Sequence, residues 1–323
     1  MYTHDTSHQK PINNWNAAKK SGLPFAILLL LCLFLFLGCS QPARGNSSEE
    51  PPVYSPLKVL VPEAPGREIL GNAPLLLDVS NLNQGYLVAQ ADTGIQGLNL
   101  QLLDPEQVTY SYFIHPGEQA VIPLTGGEGT YLVTVYEQIE GDQYAALYTQ
   151  QLEVTLENSF LPYLYPNQYV NFTPDSQASR LALELLPQDA SDIDALAAIY
   201  DYVVENITYD EDKAQTVEAG YLPDVDETLR TGTGICFDYA ALMTAMLRSR
   251  DIPCKLQIGY SSNIKHAWID VYIRSKGWIE QAIAFDGEQW SRLDPTFDST
   301  SQNDDAILDY IGDGSNYTLQ FTR

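Results

Sequence analysis

Between residues 57 and 157 the apolar positions come in short runs: "PLLLDVS", "GYLVAQA", "LNLQLL", "VTYSYFI", "AVIPLT", "TYLVTVYEQI" and "YAALYTQQLEVTL". Asn, Gly, Asp and Pro clusters separate them. Alternation places every second side chain on one face of a strand, so about seven strands at this spacing predict an all-β sandwich. After "NSFLPYLYPNQYVNF" the period lengthens. In "SDIDALAAIYDYVVENITYD" the residues Ile193, Leu196, Ala197, Tyr200, Val203, Val204 and Ile207 recur at helical spacing, with Ser191 and Asp194 placed as an N-terminal cap. A shorter helix is predicted near "SQASRLALELL". Another starts at Cys236, with Cys236, Ala240, Met243 and Leu247 on one stripe. "HAWIDVYI" alternates again, His266, Trp268, Asp270 and Tyr272 against Ala267, Ile269, Val271 and Ile273, which predicts a half-buried strand. Helices followed by strands make residues 158–323 an α+β domain.

The first 38 residues read differently. Three lysines precede the apolar run "FAILLLLCLFLFL" and Gly38, the pattern of a signal peptide. At 13 residues the run is shorter than the roughly 20 that a spanning helix needs. "LFLGC" resembles a bacterial lipoprotein cleavage box, although Phe36 stands where an aliphatic residue is usual. That resemblance implies a lipidated Cys39 as the mature first residue, more than one acyl chain, and a membrane anchor. Residues 39–56, rich in Pro, Ser and Glu, then form a linker.

Charge narrows the partners. The chain carries 17 Lys and Arg against 42 Asp and Glu, a formal net charge of −25. Such a surface repels nucleic acid and anionic lipid. The charge is spread along the folded segments and reads as a solvated surface. "YDEDK" and "DVDE" lack the glycine and terminal glutamate of a calcium loop, and no His and Cys spacing suits zinc, since the His4 and His8 pair falls in the leader. No metal or organic cofactor is implied. His115, in the turn "FIHPGE", reads as structural.

Beyond the leader and Cys39 only Cys236 and Cys254 remain. A helix over 236–249 is about 20 Å long. The residues from 250 to 254 can return only about 14 Å, so a disulfide, which needs Cα atoms within about 7 Å, would require the chain to double straight back. Cys236 is therefore expected to be a free thiol, and Cys254 a small core residue. "TGTGICFDYA" puts Cys236 at a helix N-terminus, where unpaired N–H groups favour thiolate and could hold an oxyanion. His266 is the one candidate base in this domain with a natural pKa near neutrality. Asp294, in "WSRLDPT" at a strand end, could orient the imidazole from an adjacent strand. Asp238 and Tyr239 are expected to support the helix start, while Trp268, Trp278 and Trp290 read as core or cleft wall.

"GTGICFDYAALMTAML", "HAWIDVYI" and "LDPTFD" resemble the cysteine, histidine and aspartate boxes of the transglutaminase-like superfamily, and "IYDYVVENITYD" resembles the helix that precedes them there. Three boxes in order are more specific than any one. The resemblance covers residues 158–323 and implies a papain-like α+β fold with Cys236 as nucleophile, His266 as general base and acid, and Asp294 as orienting carboxylate. Two departures stand out. "RSKGWIEQAIAFDGEQW" lengthens the interval between histidine and aspartate and is expected to form a lid-like segment along the cleft. The upstream tryptophan of animal transglutaminases and the nearby glutamine of the papain branch are both missing, leaving Tyr209, Gln215 or Tyr221 as candidates for a second oxyanion donor.

The domain plan is thus a signal peptide over 1–38, a linker over 39–56 after lipidated Cys39, an immunoglobulin-like β-sandwich over 57–157 and a transglutaminase-like catalytic domain over 158–323. The function expected is an extracytoplasmic thiol acyltransferase or hydrolase acting on amide bonds of a protein or peptide. The alternative is a non-catalytic surface binding module on the same scaffold. Crosslinking, deamidation and proteolysis stay open, as does the oligomeric state.

Overall fold

Among the described residues, eight strands precede the first long helix: β1 (Ile69–Asn72), β2 (Leu75–Asp78), β3 (Tyr86–Ala91), β4 (Leu98–Leu103), β5 (Thr109–Ile114), β6 (Gln119–Pro123), β7 (Gly129–Glu140) and β8 (Gln143–Val154). This is a computed structural model, and it describes residues 50–51, 58–94, 97–141, 143–261, 264–285, 290–292 and 317–323. All of them fall within one compact unit, Ser48–Arg323. The strands make two antiparallel sheets, in the orders β1-β2-β3-β6 and β5-β4-β7-β8. Alternation dictates what each buries: Leu98, Leu100 and Leu102 on β4 and Tyr110, Tyr112 and Ile114 on β5 turn inward, and meet Leu75, Leu77, Leu87 and Ile122 of the other sheet in one apolar core. All seven runs read from the sequence are strands. The eighth, β1, has a mostly exposed surface and no alternating pattern, so the sequence offered no signal for it.

The rest of the chain continues with α1 (Gln177–Glu184), α2 (Asp192–Asn206), the two-residue β9 (Thr208–Tyr209), α3 (Glu211–Thr216), α4 (Val225–Thr231), β10 (Thr233–Gly234) and α5 (Cys236–Arg248). There follow β11 (Cys254–Ser261), β12 (Ile264–Ile273), β13 (Gly277–Phe285), β14 (Trp290–Arg292) and β15 (Tyr317–Thr322), an antiparallel sheet in the order β14-β13-β12-β11-β15. Ser191 caps α2 as its sequence predicts, accepting from the Asp194 N–H at 3.2 Å. The acidic stretches read as surface charge are largely exposed and also start helices. Asp210 caps α3 by accepting from the Lys213 N–H, and Asp224 caps α4 by accepting from the Asp226 and Glu227 N–H groups.

Helix α5 is the centre of this half. Its sequence suggests one apolar stripe, yet every residue from Asp238 to Arg248 is buried. Helices α1, α2 and α4 pack on one side of it and strands β11 and β12 on the other. Strand β12 departs from expectation in the same way. Ala267, Ile269, Val271 and Ile273 face the α5 core, while His266, Trp268 and Asp270 on the opposite face are also buried. The segment expected to be a lid is, over Gly277–Phe285, the strand β13 paired with β12. Residues 286–289 lie outside the described residues.

Polar anchors close this core. Arg248, 1% exposed, donates from Nε and Nη2 to the Cys254 carbonyl at 3.0 and 2.8 Å, from Nη1 to Tyr165 O at 2.7 Å and from Nη2 to Arg323 O at 2.9 Å. Burial pulls its pKa down to about 10, which still leaves it charged at neutral pH. Arg323 in turn reaches the first core, donating to Tyr112 Oη at 2.7 Å and lying 4.2 Å over the Tyr169 ring. Arg248→Met would take their guanidinium donor from the Tyr165 and Cys254 carbonyls, while the Arg323 carbonyl keeps the Leu256 N–H at 3.0 Å. At about 1–3 kcal/mol for each of the two, urea unfolding should show a loss of about 2–6 kcal/mol; a loss under about 1 kcal/mol would contradict this account.

Candidate active site

The chain enters α5 through β10, which pairs in parallel with β9 so that Tyr209 stands opposite Gly234. Gly234 is needed there, because a Cβ would lie 2.7 Å from Asp238 Cβ. Ile235 is the N-cap residue but has no side-chain acceptor, so the helix start is held from within. Asp238 Oδ2 accepts from the Ile235 N–H at 2.9 Å. The Asp238 carboxylate is fully buried and also takes Lys213 Nζ at 2.6 Å and the Tyr221 hydroxyl at 2.5 Å. Lys213 Nζ lies 2.7 Å from Tyr221 Oη. Tyr239 adds a hydrogen bond from its hydroxyl to Ile207 O at 2.5 Å. The expectation that Asp238 and Tyr239 support the helix start thus has a physical form. The role of Lys213 was missed, since a lone lysine in "YDEDK" gives no hint of a buried partner 25 residues away.

Cys236 is the first residue of α5 and a free thiol, partly exposed at the surface. Its sulfur sits against β12, where the Ala267 main chain hydrogen-bonds to it, with a second bond from the Phe237 main chain. The net direction of its pKa is upward from 9.0: burial raises it, the Ala267 and Phe237 bonds oppose that, and Asp238 adds to it. The helix N-terminus therefore does not by itself make this a thiolate at rest, contrary to the reading of its position alone. Cys254 is inert by comparison, fully buried and pushed up to about 12 by burial, with its sulfur 3.4 Å from Thr244 Oγ1.

His266 directly precedes the residue that binds the sulfur and is 7% exposed. Its ring runs parallel to that of Trp268, centroids 6.4 Å apart. Across the sheet it faces Gly259, at a register shift between β11 and β15. No side chain fits there, since a Cβ on Gly259 would lie 2.1 Å from Thr318 O and 2.9 Å from Trp268 Cη2. Further along the same face Asp270 Oδ2 accepts from Gln257 Nε2 at 2.5 Å, and Gln257 Oε1 accepts from Thr322 Oγ1 at 2.7 Å. This buried polar row joins β12, β11 and β15 and was not legible beforehand. Trp278 packs against Phe160, Tyr163 and Tyr272 under the Lys255 ammonium. Asp294 and Cys39 lie outside the described residues.

Of the three candidates for a second donor, Gln215 is exposed on α3 and the Tyr221 hydroxyl is committed to Asp238. Tyr209 is the one that reaches Cys236, through a hydrogen bond with its main chain. Among the described residues no group of three or more His, Cys, Asp or Glu could hold a metal ion.

Residues 179–295 match the family model described as the transglutaminase-like superfamily. The chain carries a transglutaminase-like domain. Its helices and sheet, with the cysteine opening the buried helix, are the mixed architecture that the three boxes imply. This match supports a thiol enzyme in general terms. The protein YebA of Bacillus subtilis (strain 168), itself uncharacterized, is 27% identical over 139 residues, a match that spans 36% of this chain and 19% of that protein. The crystal structure of a "Putative Cysteine Protease from Cytophaga hutchinsonii" overlays with a TM-score of 0.34 at 13% identity, covering 74% of this chain and 79% of that one. A "putative protease from Parabacteroides distasonis" overlays at 0.29 and 15% identity, over 57% and 38% of the two chains.

The Lys213 to Asp238 pair can be tested by its pH dependence. Burial lowers the Lys213 pKa, but its bonds to Asp238 and Tyr221 outweigh that, and the net shift is upward from 10.5. Its stabilisation is therefore fully present below pH 10.5 and is lost as pH rises through the folded-state value. Lys213→Met should lower stability at pH 7 by about 1–3 kcal/mol, discounted for a partly exposed lysine. The gap from wild type in urea midpoint should close above pH 10.5; a gap independent of pH would refute the assignment.

Proposed function

We propose that this protein is an extracytoplasmic thiol acyltransferase or hydrolase that attacks amide carbonyls of a protein or peptide through Cys236, His266 and Asp294. The observation that supports this most is the seating of the Cys236 sulfur on the Ala267 main chain, next to His266, at the start of a helix buried inside a transglutaminase-like domain. In the proposed cycle Sγ adds to the amide carbon while its proton passes to His266. The carbonyl π pair moves to oxygen, then returns as the C–N bond breaks and His266 protonates the departing amine. A thioester remains on Cys236. An incoming amine or water releases the acyl group, the amine giving a crosslink and water giving proteolysis or deamidation. Asp294 would hold the imidazole in the tautomer that serves both steps.

Burial of the thiol gives the histidine its task. A sulfur with a raised pKa holds its proton at neutral pH, so nucleophilicity there depends on transfer to the imidazole and not on a resting thiolate. The same proposal has residues 1–38 removed, Cys39 lipidated, residues 39–56 spanning off the membrane, and the two sheets of 57–157 acting as an immunoglobulin-like sandwich. The acidic surface fits neither nucleic acid nor direct adhesion to anionic lipid.

Alkylation with iodoacetamide across pH checks the central pairing and separates it from a non-catalytic binding module. Wild type should react below pH 8, by about 100-fold over His266→Ala at pH 7. The variant should gain reactivity only above pH 9, where the isolated thiol ionises, and Cys236→Ser should remove the labelling. Superimposable profiles for wild type and His266→Ala would end the catalytic reading. Amine incorporation into a glutamine-bearing protein, set against peptide release, then distinguishes transfer from hydrolysis.

A further inference from the structure

The attack proposed for Cys236 puts a full negative charge on the carbonyl oxygen, and the main-chain N–H of Cys236 alone is a thin support for it. We infer that Tyr209 is the second donor, its hydroxyl stabilising that oxyanion together with the Cys236 N–H. This deepens the thiol-enzyme reading and rests on it.

The geometry comes from two short strands. Thr208 N–H donates to Gly232 O at 2.8 Å and Asp210 N–H to Gly234 O at 2.9 Å, so the main chain on both sides of Tyr209 is tied to the turn that delivers Cys236. Asp210 is fixed again as the cap of α3. The Tyr209 ring lies 6.5 Å from that of Tyr239, itself anchored to Ile207. The outcome is that the Cys236 N–H donates to the Tyr209 phenol oxygen, beside the sulfur that would form the new bond. A carbonyl oxygen arriving with its carbon on Sγ takes that N–H in place of the phenol oxygen, whose own proton then turns to the same carbonyl oxygen.

The hydroxyl also keeps its proton. Burial, then the nearby Cys236 and Glu211, push the Tyr209 pKa up to about 12, so it is a donor at any working pH. No proton leaves the tyrosine in this role. It donates a hydrogen bond while the S–C bond forms and the π pair moves to oxygen, and relaxes when that pair returns and the amine departs with the proton carried by His266.

Two reactions of the same sulfur test this. Acylation by p-nitrophenyl acetate passes through an oxyanion and releases p-nitrophenolate as a burst, whereas alkylation by iodoacetamide displaces iodide at a saturated carbon and forms none. Tyr209→Phe should acylate about 100-fold more slowly than wild type, with KM within about twofold and alkylation within about threefold. Cys254 remaining unlabelled reports an intact fold. Replacing Tyr209 by 3,5-difluorotyrosine keeps the shape but lets the phenol ionise at lower pH, so acylation should fall as pH rises past that point. Acylation by Tyr209→Phe within about threefold of wild type would overturn the assignment, as would an equal loss of acylation and alkylation or a difluorotyrosine profile matching wild type. A wild type with no burst would instead overturn the thiol-enzyme reading, and this assignment with it.

Discussion

A helix buried on every side cannot leave the polar groups at its ends to water. Helix α5 is such a helix, and the charged side chains buried near its two ends organise this half of the molecule. At the start, one buried carboxylate, Asp238, gathers the Ile235 N–H, the Lys213 ammonium and the Tyr221 hydroxyl. Near the finish, one buried guanidinium, Arg248, gathers carbonyls from Tyr165, Cys254 and Arg323. Each draws in segments distant in sequence. Together they fix where the helix begins, and therefore where the first side chain on it, Cys236, is presented.

That placement has an electrostatic consequence. A thiol at a helix N-terminus feels the aligned peptide dipoles, which favour thiolate, but the same packing takes water away from it, which favours thiol. Here desolvation outweighs the main-chain bonds from Ala267 and Phe237. The thiol is not pre-ionised, and in the proposed cycle its ionisation is left to a neighbour on β12. Since Ala267 binds the sulfur and His266 is the preceding residue, one strand supplies both the seat of the thiol and the candidate base.

Legibility of the sequence varied with the range of the interactions. Alternating runs announced β2 to β8, since a sheet face exposed to one core imposes period two on the residues themselves. Ser191 announced α2 through a contact three residues long. By contrast β1, α3 and α4 are short and have little apolar face of their own, and Asp210 and Asp224 looked like surface charge until their hydrogen bonds to the following N–H groups were seen. Helix α5 and strand β12 were read as buried on one face only. The pattern shows which residues can be buried, not how many layers will cover them.

Sequence alone determined the order of the longer elements, the helix start at "TGTGICFD", and the residue types able to do thiol chemistry, because these depend on neighbours within a few positions. Tertiary structure alone decided that Lys213 and Tyr221 converge on Asp238, that Tyr209 and not Tyr221 or Gln215 reaches Cys236, and that the thiol is raised and not lowered in pKa. The physical reason is that desolvation and long-range hydrogen bonding are properties of what surrounds a group in space. That surrounding is assembled from segments whose separation along the chain carries no record of their meeting.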